Sequence, residues 1–229
     1  FNLDGQKNWV KNLAPSSDKK QDTHHSGGIA IYKDNLFVAT GFGEIFCIDS
    51  TGSIKWKKRF DSPFRGAPIY SNNKIFIINA SDLAIALDKN GETIWTTPSE
   101  VVFGTPAPFE VEGQSFLFTP RGEAIRVSDG KVIQEGLVFL HATRDWSIFN
   151  TPTVVGDMIY TVSGVEKANG DAYAYKIPKS VKALEKSGLE RIWHTEVEKD
   201  RYYSSILVHE GILYIVTRDN LVTALDDAN

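Results

Sequence analysis

Few residues in this chain have the type and spacing that covalent or metal chemistry needs. Cys47 is the only cysteine, so an intramolecular disulfide and a cysteine-cluster metal site are both excluded. It falls where other copies of the same strand carry Ala86 and Ala224, which marks it as a small buried side chain rather than a nucleophile. His24 and His25 are adjacent but lack acidic or thiol company, and His141, His194 and His209 are scattered, with no His-x-x-x-His spacing. Glycosidase chemistry would need carboxylates flanking one bond. Glu123, Asp145 and Asp171 could converge around a channel in that way, but nothing separates them from the other members of a set of 29 acidic residues. Gly41-Phe42-Gly43 resembles a fragment of a phosphate loop. No helix follows it, so it reads as a hairpin turn. No catalytic residue, cofactor or metal ligand is therefore assigned. A different chemistry is present in Phe64, Arg65, Phe103, Arg144, Trp146, Tyr202 and Tyr203. Arginine and large aromatics are the side chains that anchor protein interfaces. These seven fall in segments between strands.

The elements that position them repeat. A turn followed by an aromatic strand recurs at Asn35–Thr40, Lys74–Asn79, Gln114–Thr119, Asp157–Ser163 and Gly211–Thr217. Its aromatics, Phe37, Phe76, Phe116, Tyr160 and Tyr214, are spaced by 39, 40, 44 and 54 residues. Each is followed by a strand ending in a polar turn, as in Ile45–Asp49, Ala84–Asp88, Ala124–Ser128, Ala172–Tyr175 and Val222–Asp226. A glycine turn then leads into a tryptophan strand at Gly52–Trp56 and Gly91–Trp95, with looser copies at Gly5–Trp9 and Gly188–Trp193. The copy at Asp129–Gln134 has lost its tryptophan. One more strand, opened by small residues or Pro, precedes each aromatic strand. Periods of this length mark repeat architectures, and four short strands per unit predict a blade.

The expected fold is all-β: a single β-propeller of about five four-stranded blades, over 28–60, 66–98, 105–137, 151–197 and 204–229 plus 5–13. The last unit stops after its third strand, and 5–13 reads as a lone fourth strand. Pairing the two would close the ring, remove a free edge and leave a monomer. Lys179–Leu189 predicts a short surface helix between the third and fourth strands of the fourth blade, and Asn12–Gly27 an exposed loop. With 41% hydrophobic residues and a net charge of −4, the composition is that of an ordinary globular protein with no basic excess to attract nucleic acid. No apolar run is long enough for a membrane-spanning helix, and no targeting segment is visible in the first residues.

The turn Asp49–Trp56 and its partner Asp88–Trp95 are similar to the repeat of PQQ-like, quinoprotein-type β-propellers. Preceded by Ala39–Glu44 and followed by Arg65–Pro68, they most resemble the propeller lipoproteins of the outer-membrane β-barrel assembly machinery. The match is good over 27–97 and looser from Phe103 onward. Members of that type have eight blades, and this chain has room for five. The resemblance implies that Trp9, Trp56, Trp95 and Trp193 pack between blades. It also implies that the linker holding Arg65 lies near the central channel, on the side used toward a barrel partner. Phe103, Tyr202 and Tyr203 occupy similar linkers, and Arg144 and Trp146 lie in the segment joining two blades. Together they would make one apolar, arginine-decorated face. PQQ binding would require an adjacent cysteine pair and a calcium site, neither of which is present. The expected function is a non-catalytic scaffold for protein partners in outer-membrane assembly, periplasmic or associated with the outer membrane. A sugar- or small-molecule-binding propeller and a truncated or hybrid propeller without a selected function are the alternatives.

Overall fold

Short β-branched and aromatic runs separated by turn residues fold as antiparallel meanders. The computed structural model describes residues 5–14, 27–81, 83–99, 101, 103–138 and 149–227. Its first blade is β1 (Ile29–Tyr32), β2 (Asn35–Ala39), β3 (Glu44–Asp49) and β4 (Ile54–Arg59). The second is β5 (Ile69–Ser71), β6 (Lys74–Asn79), β7 (Leu83–Leu87) and β8 (Thr93–Pro98). The third is β9 (Ala107–Val111), β10 (Gln114–Phe118), β11 (Ala124–Arg126) and β12 (Val132–Gln134). The fourth is β13 (Thr153–Val155), β14 (Met158–Val165), β15 (Ala168–Lys176) and β16 (Glu190–Val197), with α1 (Val181–Ser187) between its last two strands. The fifth sheet holds β17 (Leu207–His209), β18 (Ile212–Val216) and β19 (Val222–Asp226). Every pairing is between sequence neighbours and antiparallel. The chain is an all-β array of propeller blades.

The core lies between blades. Phe37 and Cys47 of the first blade meet Ile75 and Leu87 of the second, and Phe76 and Ala86 meet Leu117 and Ile125 of the third. Phe116 and Phe118 meet Tyr173 and Tyr175, and Tyr160 and Ala174 meet Leu213 and Ile215. A strand buried on both faces has no polar face to show, which is why β6 and β14 read as continuous apolar runs.

In the first, second, third and fifth sheets the turn between the second and third strands is held by a polar residue closing the second strand. Thr40 Oγ1 accepts the Glu44 amide, Asn79 Oδ1 those of Ser81 and Leu83, Thr119 Oγ1 that of Glu123, and Thr217 Oγ1 that of Leu221. The tryptophan of each fourth strand that carries one clamps the following blade. Trp56 Nε1 donates to Lys89 O, Trp95 Nε1 to Val127 O and Trp193 Nε1 to Asp227 O, at 2.9–3.1 Å.

Two arrangements differ from the sequence expectation. The fourth strand of the third blade has no tryptophan, and α1 takes over that interface instead of lying free on the surface. Leu184 is fully buried among Phe116, Tyr175 and Ile177, Gln134 Oε1 accepts the Leu189 amide at 2.6 Å, and Glu185 pairs with Arg126 at 2.8 Å. The second difference concerns the ends. Residues 5–14 form no strand, and the fifth sheet stops at β19 with three strands, so the closing pair is not among the strand pairings of the described residues. Trp9 rests on the first blade, where its Nε1 donates to Ser50 O at 2.9 Å. That is the contact Trp56, Trp95 and Trp193 each make with the blade after their own.

Candidate functional site

In a four-stranded meander, the turn between strands two and three and the linker to the next blade fall at the same end. All inter-blade linkers therefore emerge on one face, and side chains at matching linker positions form a row along it. Arg65, Phe103, Phe149 and Tyr203 occupy such a register, each three residues ahead of Pro68, Pro106, Pro152 and Ile206.

The row is continuous. The Arg65 guanidinium carbon lies 4.9 Å from the centre of the Phe103 ring. Phe103 and Phe149 are 4.9 Å apart at 42°, and Phe149 meets Tyr203 edge-on at 4.9 Å and 69°. Arg201 sits 5.7 Å from the Phe149 centroid and reaches the Tyr203 hydroxyl at 3.5 Å. These are favourable aromatic and cation–π geometries. A row of two arginines and three aromatics thus spans the four linkers that join the five blades. Tyr203 is its most open member, at 47% exposure.

Of the seven residues expected on this face, the structure brings together Arg65, Phe103 and Tyr203. Phe64 and Tyr202 are corrected to core positions. Phe64 is 0% exposed, bridges to Asn79 and meets Phe60 edge-on at 5.5 Å. Tyr202 is 1% exposed, and its hydroxyl donates to Glu198 O at 2.5 Å. Adjacent residues in an extended linker point to opposite sides, so Arg65 and Tyr203 face out because Phe64 and Tyr202 face in. Arg144 and Trp146 lie outside the described residues. Phe149 was missed, although its place three residues before Pro152 is the register shared by Arg65 and Phe103.

Beside the row, charges link the fourth and fifth blades. Arg218 pairs with Glu166, with Asp219 at 3.2 Å and with Asp200 at 3.5 Å, and Arg201 reaches Glu166 at 3.5 Å. Burial pushes the Asp200 carboxyl up. Hydrogen bonds from the Arg201 and Asp219 amides, together with the positive charge of Arg218, outweigh it and hold the group below its usual range.

The carboxylates considered for hydrolysis are engaged locally. Glu44, Glu123 and Asp171 occupy equivalent register positions, each three residues before Cys47, Arg126 and Ala174, which pair with Phe37, Phe116 and Tyr160. Glu44 lies 3.7 Å from Arg59 and 3.9 Å from Lys57, and Asp171 pairs with His194. Glu123 accepts from the Thr119 hydroxyl at 2.9 Å and from the Ser99 hydroxyl. Asp145 is outside the described residues. Cys47 is 2% exposed, and burial pushes its thiol up, away from the reactive thiolate. Among the described residues, no three His, Cys, Asp or Glu side chains are grouped to hold a metal.

Comparisons with known proteins agree with this architecture. A family model described as outer membrane protein assembly factor BamB matches residues 1–229. The outer membrane protein assembly factor BamB of Moranella endobia (strain PCIT) is 22% identical over 241 residues, covering 98% of this chain and 58% of that protein. The crystal structure of BamB from Moraxella catarrhalis superposes with a TM-score of 0.66 at 18% identity, over 89% of this chain and 61% of that one. The quinohemoprotein alcohol dehydrogenase of Comamonas testosteroni superposes with a TM-score of 0.59 at 13% identity, over 88% of this chain and 43% of that one. The chain thus spans about three fifths of the length of the BamB proteins it matches. At these identities the superpositions establish the propeller fold alone.

Proposed function

Since this chain belongs to the outer membrane protein assembly factor BamB family, we propose that it is a non-catalytic propeller scaffold for outer-membrane protein assembly. In this reading it docks a protein component of that assembly in the periplasm, at the outer membrane, through the linker face. The carrying observation is the row Arg65–Phe103–Phe149–Tyr203–Arg201. The row lies outside the hydrophobic core clusters between the blades. Rigid aromatics and arginines clustered on one face are the composition of interface hot spots. Rings held by one another also lose little freedom on binding.

The test is site-specific photocrosslinking in cells from position 103 and, as a control, from the opposite end of the blades at position 73. A crosslink to an outer-membrane assembly component from 103 alone supports the reading. Crosslinks of equal yield from both positions, or none from 103, would overturn it.

A further inference from the structure

The hairpin tips that join the first and second strands lie at the end of the blades opposite the linkers. The first, third, fourth and fifth tips are Lys33-Asp34, Glu112-Gly113, Gly156-Asp157 and Glu210-Gly211, each with a charged residue. The second tip is Asn72-Asn73, with two neutral amides. Both asparagines hold positive φ, 47 and 58. At the place of Asn73 the third and fifth tips use Gly113 and Gly211, so the backbone there asks only for tolerance of that conformation, and Asn73 adds a side-chain amide.

A second departure from the repeat lies beside this tip. Tyr32 and Tyr70, from the first strands of neighbouring blades, stack at 3.9 Å and 16°. The register of Tyr32 is filled elsewhere by Ser71, Val111, Val155 and His209, and that of Tyr70 by Ile31, Glu110, Val154 and Val208, so the pair recurs at no other junction. Tyr70 also stacks with Phe37 at 5.6 Å and 6°. Its ring therefore belongs to the blade junction, and what it offers outward is its hydroxyl, which donates to Asn73 Oδ1 at 3.3 Å.

These residues line one cleft of about 810 Å³ that runs from the first blade to the third, where Gln114 and Ser128 complete it. That volume is within the range of small-molecule sites. Asn72 Nδ2 donates to the Ser115 hydroxyl across the blade boundary, which fixes the amide and leaves its oxygen to accept. With its oxygen held by Tyr70, Asn73 keeps its two N–H donors. The Gln114 amide is exposed. The lining includes no carboxylate, and Arg126 is held by Asp129 at 2.7 Å and Glu185 at 2.8 Å, so Lys74 is the one charge of the lining without an ion-pair partner among the described residues. An anion would ask for more positive charge than one lysine, and an apolar ligand would leave the amides unpaired. Fixed neutral groups that both donate and accept are the complement of vicinal hydroxyls, which do the same.

We propose that this cleft binds a neutral oligosaccharide, whose hydroxyls pair with the side-chain amides of Asn72, Asn73 and Gln114. The cleft and the linker row are at opposite ends of the blades, and the proposal does not rest on the assembly role.

The experiment is isothermal titration of the protein with neutral trisaccharides of glucose, mannose, galactose and N-acetylglucosamine. Acetyl-trialanine amide serves as a neutral peptide and glycerol as a bare polyol. Expected is saturable binding of at least one trisaccharide, tighter than that of the peptide or glycerol. Asn73→Gly keeps the turn, as Gly113 and Gly211 do, and should weaken that trisaccharide by about tenfold, as should Gln114→Ala. Arg65→Ala should leave its affinity unchanged. Saturation by none of the trisaccharides overturns the proposal, as does a peptide or glycerol that binds as tightly as the best of them. Affinity unchanged in both Asn73→Gly and Gln114→Ala, or an equal loss in Arg65→Ala, would place the ligand elsewhere and overturn it too.

Discussion

Trp56 of the first blade presses on Gly91 of the second so closely that a Cβ at position 91 would lie 2.9 Å from its indole ring. Gly91 has φ +86, and the contact is fixed by the bond from Trp56 Nε1 to Lys89 O. Trp95 on Gly130 and Trp9 on Gly52 repeat the arrangement. Gly91→Ala must resolve both a left-handed backbone and a ring collision, and should cost roughly 1–3 kcal/mol in urea unfolding. Trp95→Ala should cost about 3 kcal/mol. Trp9 is 38% exposed, so Trp9→Ala should cost about 1–2 kcal/mol in the same assay. Equal losses at Trp95 and Trp9 would mean that the N-terminal segment is more deeply embedded than its contact with Ser50 and Gly52 implies.

The linker row predicts variants that keep the fold and lose the partner. Phe103→Ala and Arg65→Ala should lower the thermal midpoint far less than a core truncation does, because neither side chain belongs to an inter-blade core cluster. If Phe103 is a hot spot, its loss should weaken binding by about 2 kcal/mol, or roughly thirtyfold. Phe64→Ala should do the reverse, with a stability loss of about 3–5 kcal/mol, since its side chain is 0% exposed. Binding by surface plasmon resonance beside differential scanning fluorimetry separates the two effects.

Helix α1 should behave as part of the core. Leu184→Ala is expected to destabilise by about 2–5 kcal/mol, because Leu184 is fully buried between the third and fourth blades. Hydrogen exchange would then show loosening in β12 and β16. An exposed neighbour such as Lys182→Ala should have almost no effect.

Glu123 should make stability depend on pH in a defined direction. Burial pushes its carboxyl above the ordinary value of 4.5, only partly opposed by the Ser99 and Thr119 hydroxyls. A raised folded-state value means that the native protein holds a proton the unfolded chain releases. Its contribution is therefore full below the unfolded value and is lost as pH rises through the folded one. Glu123→Gln removes that loss, so the stability difference between the glutamine variant and the parent should grow in favour of glutamine across this window. Urea midpoints measured from acidic to neutral pH give the sign directly, and a difference flat in pH would contradict it.

Much of the fold was legible because its signals are local. A hairpin turn, an aromatic at a fixed offset and a glycine four residues before a tryptophan each act over a few residues and recur, so strand order within each blade followed from spacing. The register Arg65, Phe103, Phe149 before Pro68, Pro106 and Pro152 is equally local and places Phe149 with the other two, although Arg144 and Trp146 dominate the composition of its linker. Within a linker, sequence places a residue on the correct face of the array but does not say which of two neighbours turns outward. Phe64 and Arg65, or Tyr202 and Tyr203, differ by one step along an extended chain, and that step decides between core and surface.

The sequence by itself determined the blades, the recurrence of the tryptophan strands and the exclusion of a disulfide within this chain, because these depend on residue type and short-range periodicity. Only the tertiary structure decided that α1 replaces the lost tryptophan at Gln134, that Arg65, Phe103, Phe149 and Tyr203 touch, and that Asp171 and His194 pair. Those contacts join residues far apart in sequence, and their geometry is set by how the blades stack, which no local pattern encodes.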